Sequence, residues 1–217
     1  MNQRVILADD HKIVREGLRS MLENQLHMKV IAEAEDGLMA VRLVEEHKPD
    51  LVIMDISMPG LNGIEATRKI KSTNPDVKII ALSMHSDKRY IAEFLKVGAT
   101  GYLLKNCGFE ELSQAVNNVL AGKTYISPSV AGTVIQDYVS HLNGEVNNNT
   151  ASNLTPRERE ILQLLAEGKS IKDIASRLNT SSKTIDNHKT HIMEKLGLNS
   201  IAELTKYAVR EGLTSIE

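Results

Sequence analysis

Residues 51–63 read LVIMDISMPGLNG: an apolar run closing on Asp55, then a turn containing Pro59, Gly60 and Gly63 that opens into an amphipathic stretch. A strand that is continuously apolar, with no polar alternation, is one covered on both faces, the condition of a parallel sheet. Four more such runs lie at Arg4–Ala8, Lys29–Ala34, Lys78–Leu82 and Gly101–Leu104, each followed by helical periodicity. Strands that alternate with helices imply an α/β fold, here a doubly wound parallel sheet of five strands. In the first helix Ile13, Val14, Gly17, Leu18, Met21 and Leu22 recur at the 3.6-residue period and define the expected inner face. The last helix of this domain is expected over residues 110–120.

Beyond it, Val130, Val134, Ile135 and Val139 suggest a connecting helix over residues 127–142, and then NGEVNNNTASN at 143–153 is too polar to bury a core and reads as a flexible linker. A second start signal follows. Thr155, Pro156 and Glu158 form the pattern of a capping box, and Ser200 with Glu203 repeats it. Between them helices are expected to about Ala166, over residues 171–178 and over residues 183–196, and Ile201, Leu204 and Ala208 form one stripe on a fourth. The chain therefore divides into an α/β domain at 1–122, a partly helical linker at 123–153 and a smaller all-α domain of four helices at 154–217.

The 217 residues are 41% hydrophobic and 25% charged, the composition of a soluble globular protein. A single cysteine, Cys107, rules out an internal disulfide and suits a reducing compartment, so the cytoplasm is expected. No stretch is long and apolar enough for a membrane span. The net charge of −2 argues against bulk coating of nucleic acid, but residues 151–217 hold 10 Lys and Arg against 9 Asp and Glu, which leaves −3 for residues 1–150.

In a doubly wound sheet, ligands gather beyond the carboxyl ends of the strands. Asp9 and Asp10 end the first strand, Asp55 ends the third and Lys105 follows the fifth, so three carboxylates and an ammonium converge from distant parts of the chain. Each aspartate alone would be an ordinary solvated strand end. Together they repel one another unless a cation intervenes, and a hard, oxygen-seeking ion such as Mg²⁺ is the natural occupant. GKT at 122–124 and GKS at 168–170 echo a phosphate-binding loop but have Asn117 and Gln163 where its first glycine belongs. His188 and His191 lack a further ligand cluster, and Cys107 reads as an inert residue at a helix entrance.

ADD at 8–10, MDISMPGLNG at 54–63, LSMH at 82–85 and GYLLK at 101–105 together resemble the flavodoxin-like receiver domain of bacterial response regulators. The resemblance implies that Asp55 accepts a phosphoryl group from a sensor histidine kinase. It implies that Asp9, Asp10, Asp55 and the backbone carbonyl of Ser57 hold Mg²⁺, and that Lys105 pairs with the phosphoryl oxygens. Ser83 and Tyr102 would then carry the switch; without the resemblance they read equally as a loop hydroxyl and a half-buried strand aromatic. Phosphoryl transfer needs chiefly positioning and charge neutralisation, which such a group supplies.

In the second domain SIKDIASRLNTSSKTIDNHKTHIMEKL (170–196) has helix-turn-helix spacing, with its turn at 179–182. Ile171, Ile174, Ala175 and Leu178 form the packing face of the first helix. On the longer one Ile185, Ile192 and Leu196 face inward, opposite Lys183, Asn187, Thr190 and Glu194. By the helical wheel alone, that polar face could equally meet water. The stretch from Leu154 to Leu213 resembles the LuxR-type output domain, and the two halves together the NarL/FixJ class. The resemblance implies contacts to DNA from Asp186, Asn187 and Thr190, with Lys183, Lys189 and His191 as backbone contacts. Asp186 stands where many relatives have lysine, and an acid there either repels phosphate or accepts from cytosine N4.

The implied function is a phosphorylation-dependent transcriptional regulator of promoter DNA, not a classical enzyme, dimeric when phosphorylated because a nearly neutral DNA-binding half needs paired contacts. A constitutive DNA-binding protein with an uncoupled receiver is the alternative.

Overall fold

A computed structural model of the chain describes residues 3–84, 88–132, 134–135 and 154–214. They form two compact units, each described separately. The first has strands β1 (Arg4–Ala8), β2 (Lys29–Ala34), β3 (Leu51–Asp55), β4 (Lys78–Ser83), β5 (Gly101–Leu104) and β6 (Tyr125–Ile126). Its helices are α1 (Lys12–Asn24), α2 (Gly37–His47), α3 (Gly63–Thr73), α4 (Lys88–Lys96) and α5 (Phe109–Leu120). The sheet runs β2-β1-β3-β4-β5-β6 with every pair parallel. The order reverses at β1, so the crevice between the carboxyl ends of β1 and β3 is the switch point where a ligand site belongs.

Strand residues alternate between two buried faces. Val5, Leu7, Leu51, Ile53, Ile80, Leu82 and Leu103 meet α1 and α5 through Leu18, Leu22, Leu112, Ala115, Val116 and Val119. Their neighbours Ile6, Val52, Met54, Ile79, Ala81 and Tyr102 are also buried and point to the opposite face. Full burial of every residue of β3 explains why its sequence shows no alternation.

Two expectations need correction in this unit. The sheet has six strands, not five: Tyr125–Ile126 pairs with Gly101–Tyr102, extending the sheet into the segment expected to be linker. Two residues are too few to show a period. Ile13, expected on the inner face of α1, is 81% exposed, and Gly17 is exposed too. Arg15 is buried in their place, with Leu18 and Leu22, because β2 supplies partners for its guanidinium. Of the connecting helix expected over 127–142, residues 128–132 and 134–135 are helical, with Val130 fully buried; 136–142 and the polar run to residue 153 lie outside the described residues.

The second unit contains α6 (Pro156–Ala166), α7 (Ile171–Arg177), α8 (Ser182–Leu196) and α9 (Ile201–Arg210). Each starts at a hydroxyl cap: Thr155, Ser170, Ser181 and Ser200 accept the N–H three residues on. Thr155 and Glu158 form the full reciprocal box. At α9 the box is altered, since Glu203 Oε2 accepts from the Asn199 N–H at 2.7 Å, one residue before the cap. Asn179 takes a left-handed φ of 50° and Thr180 N–H donates to Ala175 at 2.9 Å, which makes the tight turn between α7 and α8. The core joins Ile161, Leu162, Leu165, Ile174, Ile185, Ile192, Leu204 and Ala208. Ile201, expected in that stripe, is 44% exposed; it is the first residue of α9, and the buried face is carried by Leu204, Tyr207 and Ala208. Among the described residues no helix is long and apolar enough to cross a membrane.

Candidate functional site: an acidic pocket and an exposed helix

The parallel register brings the first site together. Asp55 is the last residue of β3, and Asp9 and Asp10 follow β1, its hydrogen-bonded neighbour. Asp9 and Asp55 are each 1% exposed. Lys105, just past β5, reaches across with Nζ 2.8 Å from Asp9 Oδ2 and 2.8 Å from Asp55 Oδ2. The lysine backbone is fixed as well, since its N–H donates to the Ser83 carbonyl at 2.7 Å. In the turn after β3, Ser57 N–H donates to Asp55 Oδ1 at 3.3 Å, and Gly63 N–H donates to the Ile56 carbonyl at 2.9 Å. A Cβ on Gly63 would collide with the Asp55 carbonyl, so only glycine lets α3 start this close to the site.

Burial, reinforced by the charge of Asp9, raises the Asp55 carboxyl from its ordinary 3.8 to about 6, against the opposing pull of Lys105. For Lys105 burial acts to lower the ammonium, but Asp55 and Asp9 outweigh it and the net direction is up. Oxygen atoms of Asp9, Asp10 and Asp55 and a ring nitrogen of His11 all lie within 4.8 Å of one another. Asp9 Oδ2 and Asp10 Oδ1 are sealed from solvent yet accept no well-formed hydrogen bond; their close neighbours are the ion-pair approaches of Lys105 and of His11 Nδ1, the latter 2.8 Å from Asp10. Three converging carboxylates, those of Asp9 and Asp55 buried and that of Asp10 half-buried, are a donor set suited to a hard divalent cation.

Ser83 ends β4 with 1% exposure, one step past Leu82, which pairs with Asp55. Tyr102 in β5 is fully buried, where the sequence reads as half-buried. Its carbonyl accepts the N–H of Ser127 at 2.9 Å, which ties the strand carrying Tyr102 to the segment leaving the sheet. Cys107 is half-buried, and burial together with Glu111 pushes its thiol up to about 11, the opposite of an activated cysteine. His11 and Arg15 were missed by sequence reasoning. His11 directly follows the aspartate pair, and Arg15 falls three and seven residues before Leu18 and Leu22, in the middle of an apolar stripe; that spacing was the available signal.

The second site is the outer surface of α8. Lys183, Asp186, Asn187, Thr190 and His191 are exposed, whereas Lys189 is half-buried, on the flank nearer Ile185 and Ile192. Thr190 Oγ1 donates to the Asp186 carbonyl at 3.1 Å. Lys183, Asp186 and Asn187 also line a shallow concavity with Ile171 and Ser182, between the starts of α7 and α8. No third metal ligand joins His188 and His191 among the described residues.

A sheet with an acidic switch-point pocket and a helix-turn-helix unit with an exposed second helix are the two halves of a signalling regulator of DNA. Residues 5–117 match the response regulator receiver domain, and residues 152–208 match the bacterial regulatory proteins of the luxR family. The chain belongs to the bacterial two-component response regulators that join a receiver to a LuxR-type DNA-binding domain, a family of transcription regulators. It is 43% identical over 213 residues to the oxygen regulatory protein NreC of Staphylococcus carnosus (strain TM300), covering 97% of this chain and 98% of that one. Among solved structures, a LuxR-family two-component response regulator from Aurantimonas sp. SI85-9A1 is 39% identical with a TM-score of 0.61, over 64% of this chain and 99% of that one. RcsB from Salmonella enterica serovar Typhimurium, bound to promoter rprA in the presence of phosphomimetic BeF3-, is 30% identical with a TM-score of 0.63, over 95% of this chain and 98% of that one.

Proposed function

We propose that this regulator is switched by phosphorylation of Asp55 and, once phosphorylated, binds promoter DNA as a homodimer. The observation that carries the reading is the placement of Lys105, 2.8 Å from both Asp9 and Asp55: one cation already bridges the nucleophile and its neighbouring acid. An Asp55 oxygen attacks the phosphorus of a phosphohistidine on a sensor kinase, and the electron pair of the broken P–N bond returns to the imidazole. Lys105 then faces the new phosphoryl oxygens, while Asp9 and Asp10, with Asp55 and the Ser57 carbonyl, would hold Mg²⁺. That ion supplies neutralisation of the charge on the transferring group. Ser83, buried at the end of β4, turns its hydroxyl toward the phosphoryl group, and Tyr102, already inward in β5, is the second residue of the switch.

The output side rests on α8. A recognition helix offers its N-terminal residues to base edges in the major groove. Here those are Lys183, Asp186 and Asn187, with Thr190 one turn on and Lys189 and His191 placed to meet phosphates. The domain limits expected from the sequence, 1–122 for the receiver, 123–153 for the linker and 154–217 for the DNA-binding part, are kept except that β6 at Tyr125–Ile126 belongs to the receiver sheet, and a chromosomal target puts the working site in the cytoplasm. RcsB, whose structure is bound to promoter rprA in the presence of phosphomimetic BeF3-, supports the pairing of the two activities. The test is to incubate the chain with acetyl phosphate and Mg²⁺ and separate phosphorylated protein on a phosphate-affinity gel. Wild type should shift and Asp55→Ala should not; an equal shift for both would overturn the assignment.

A further inference from the structure

Arg15 lies in the inner face of α1 at 4% exposure, and its partners account for why a guanidinium is kept there. Nη1 donates to the backbone carbonyl of Asp9 at 2.6 Å, Nε to Glu33 Oε2 at 3.0 Å and Nη2 to Glu35 Oε1 at 2.8 Å. Asp9 N–H in turn donates to the carbonyl of Ala34 at 3.1 Å, the residue between those two glutamates. Both polar ends of Asp9 are thus anchored to the end of β2 and the residue after it: the N–H directly, and the carbonyl through Arg15. Arg19 holds Glu33 from the other side at 2.7 Å, so the anchor is itself braced.

We infer that Arg15 is a positioning residue for the cation-binding acids, acting by clamping the Asp9 carbonyl and so orienting the peptide that leads into Asp10. The inference rests on the reading that Asp9 and Asp10 hold a divalent cation. Asp9, Asp10 and Asp55 crowd like charges together, and without a clamp the two neighbouring carboxylates relieve their repulsion by rotating the peptide between them. Mg²⁺ demands near-ideal octahedral geometry, so a small rotation there is felt as lost affinity. A planar fork with several fixed donors can grip one carbonyl and two carboxylates at once; a lysine ammonium, a compact point charge, cannot. Polar partners that orient ligands from behind are worth roughly tenfold or more in metal affinity.

The experiment is a Mg²⁺ titration of the full chain, followed by backbone amide shifts of residues 9–11, for wild type, Arg15→Lys, Glu35→Gln and Leu22→Ala. Leu22→Ala removes a buried side chain of the same helix, 0% exposed, without touching the clamp. Arg15→Lys should raise the Mg²⁺ dissociation constant about tenfold. Glu35→Gln, whose side chain is 70% exposed so that the fold should survive the change, should raise it about threefold. Leu22→Ala should leave it within about twofold, being a loss of packing and not of orientation. With acetyl phosphate, Arg15→Lys should need more Mg²⁺ for half-maximal phosphorylation but reach nearly the wild-type rate at saturation. Unchanged Mg²⁺ affinity in both clamp variants, or an equal shift in Leu22→Ala, overturns the inference; if Arg15→Lys does not fold, Glu35→Gln decides. A wild-type chain that takes up no Mg²⁺ overturns the cation reading beneath it, whereas wild-type uptake with unaffected variants overturns this inference alone.

Discussion

Asp55→Asn should stabilise the receiver unit at neutral pH when divalent cations are chelated, and should have no such effect in acid. Asp55 is 1% exposed, and its carboxyl is raised from 3.8 to about 6 by burial and by Asp9. A raised carboxyl favours the fold in its protonated form. Its contribution is therefore complete below the unfolded value of 3.8 and is lost as pH climbs through about 6. A shift of about 2 units, at about 1.36 kcal/mol each, makes the ionised carboxylate cost the fold about 3 kcal/mol above pH 7. Asparagine keeps the shape and removes the charge, but leaves Lys105 with Asp9 as its one carboxylate of the pair, which offsets part of the gain. The expected net is about 1–3 kcal/mol at pH 8, falling to near zero at pH 4. Urea denaturation with a chelator between pH 4 and 8 measures it, and the receiver transition is the one that moves when Mg²⁺ is added to wild type. Parallel pH profiles for the two proteins, or a variant that is less stable at pH 8, would refute the reasoning.

Three further substitutions probe other parts of the account. Gly63→Ala forces a methyl against the Asp55 carbonyl, so it should cost the receiver about 1–3 kcal/mol in urea and slow acetyl-phosphate labelling. Lys195 Nζ lies 2.7 and 2.8 Å from the two oxygens of Glu158 and, with Thr155, overcomes the burial that would raise that carboxyl, so its net direction is down. Lys195→Met should cost the helical unit about 1–2 kcal/mol at pH 7 by thermal denaturation. A lowered carboxyl gives stability above its unfolded pKa and loses it as pH falls through the folded one, so that difference should vanish in strong acid. Asp186→Ala should relax base preference at one position while tightening non-specific binding. On the proposed binding through α8, an acid there tolerates only a base amino donor, a discrimination of about 1–3 kcal/mol readable by site selection from a random DNA pool.

The strand ends were readable in the sequence because parallel strands buried on both faces leave long apolar runs, and topology then gathers Asp9, Asp55 and Lys105 without any further information. The capping hydroxyls at Thr155 and Ser200 were readable for a local reason: a cap acts within three residues. What the sequence hid depends on partners far along the chain. Arg15 interrupts an apolar stripe, and only the arrival of Glu33 and Glu35 at the end of β2 makes its burial favourable and turns Ile13 outward. Tyr125–Ile126 has no period of its own and becomes a strand because the edge of β5 offers it unpaired backbone groups. Ile201 fits the stripe by spacing yet stands at the opening of its helix, outside the core cluster.

If the state of Asp55 controls binding through α8, the two must change together. The affinity of the full chain for a promoter fragment, measured with and without beryllofluoride and Mg²⁺ alongside its mass in solution, tests it most directly. Beryllofluoride should raise dimer content and tighten DNA binding at least about fivefold, a coupling of about 1 kcal/mol or more, in wild type and not in Asp55→Ala. Equal affinity and unchanged mass in all four conditions would contradict it.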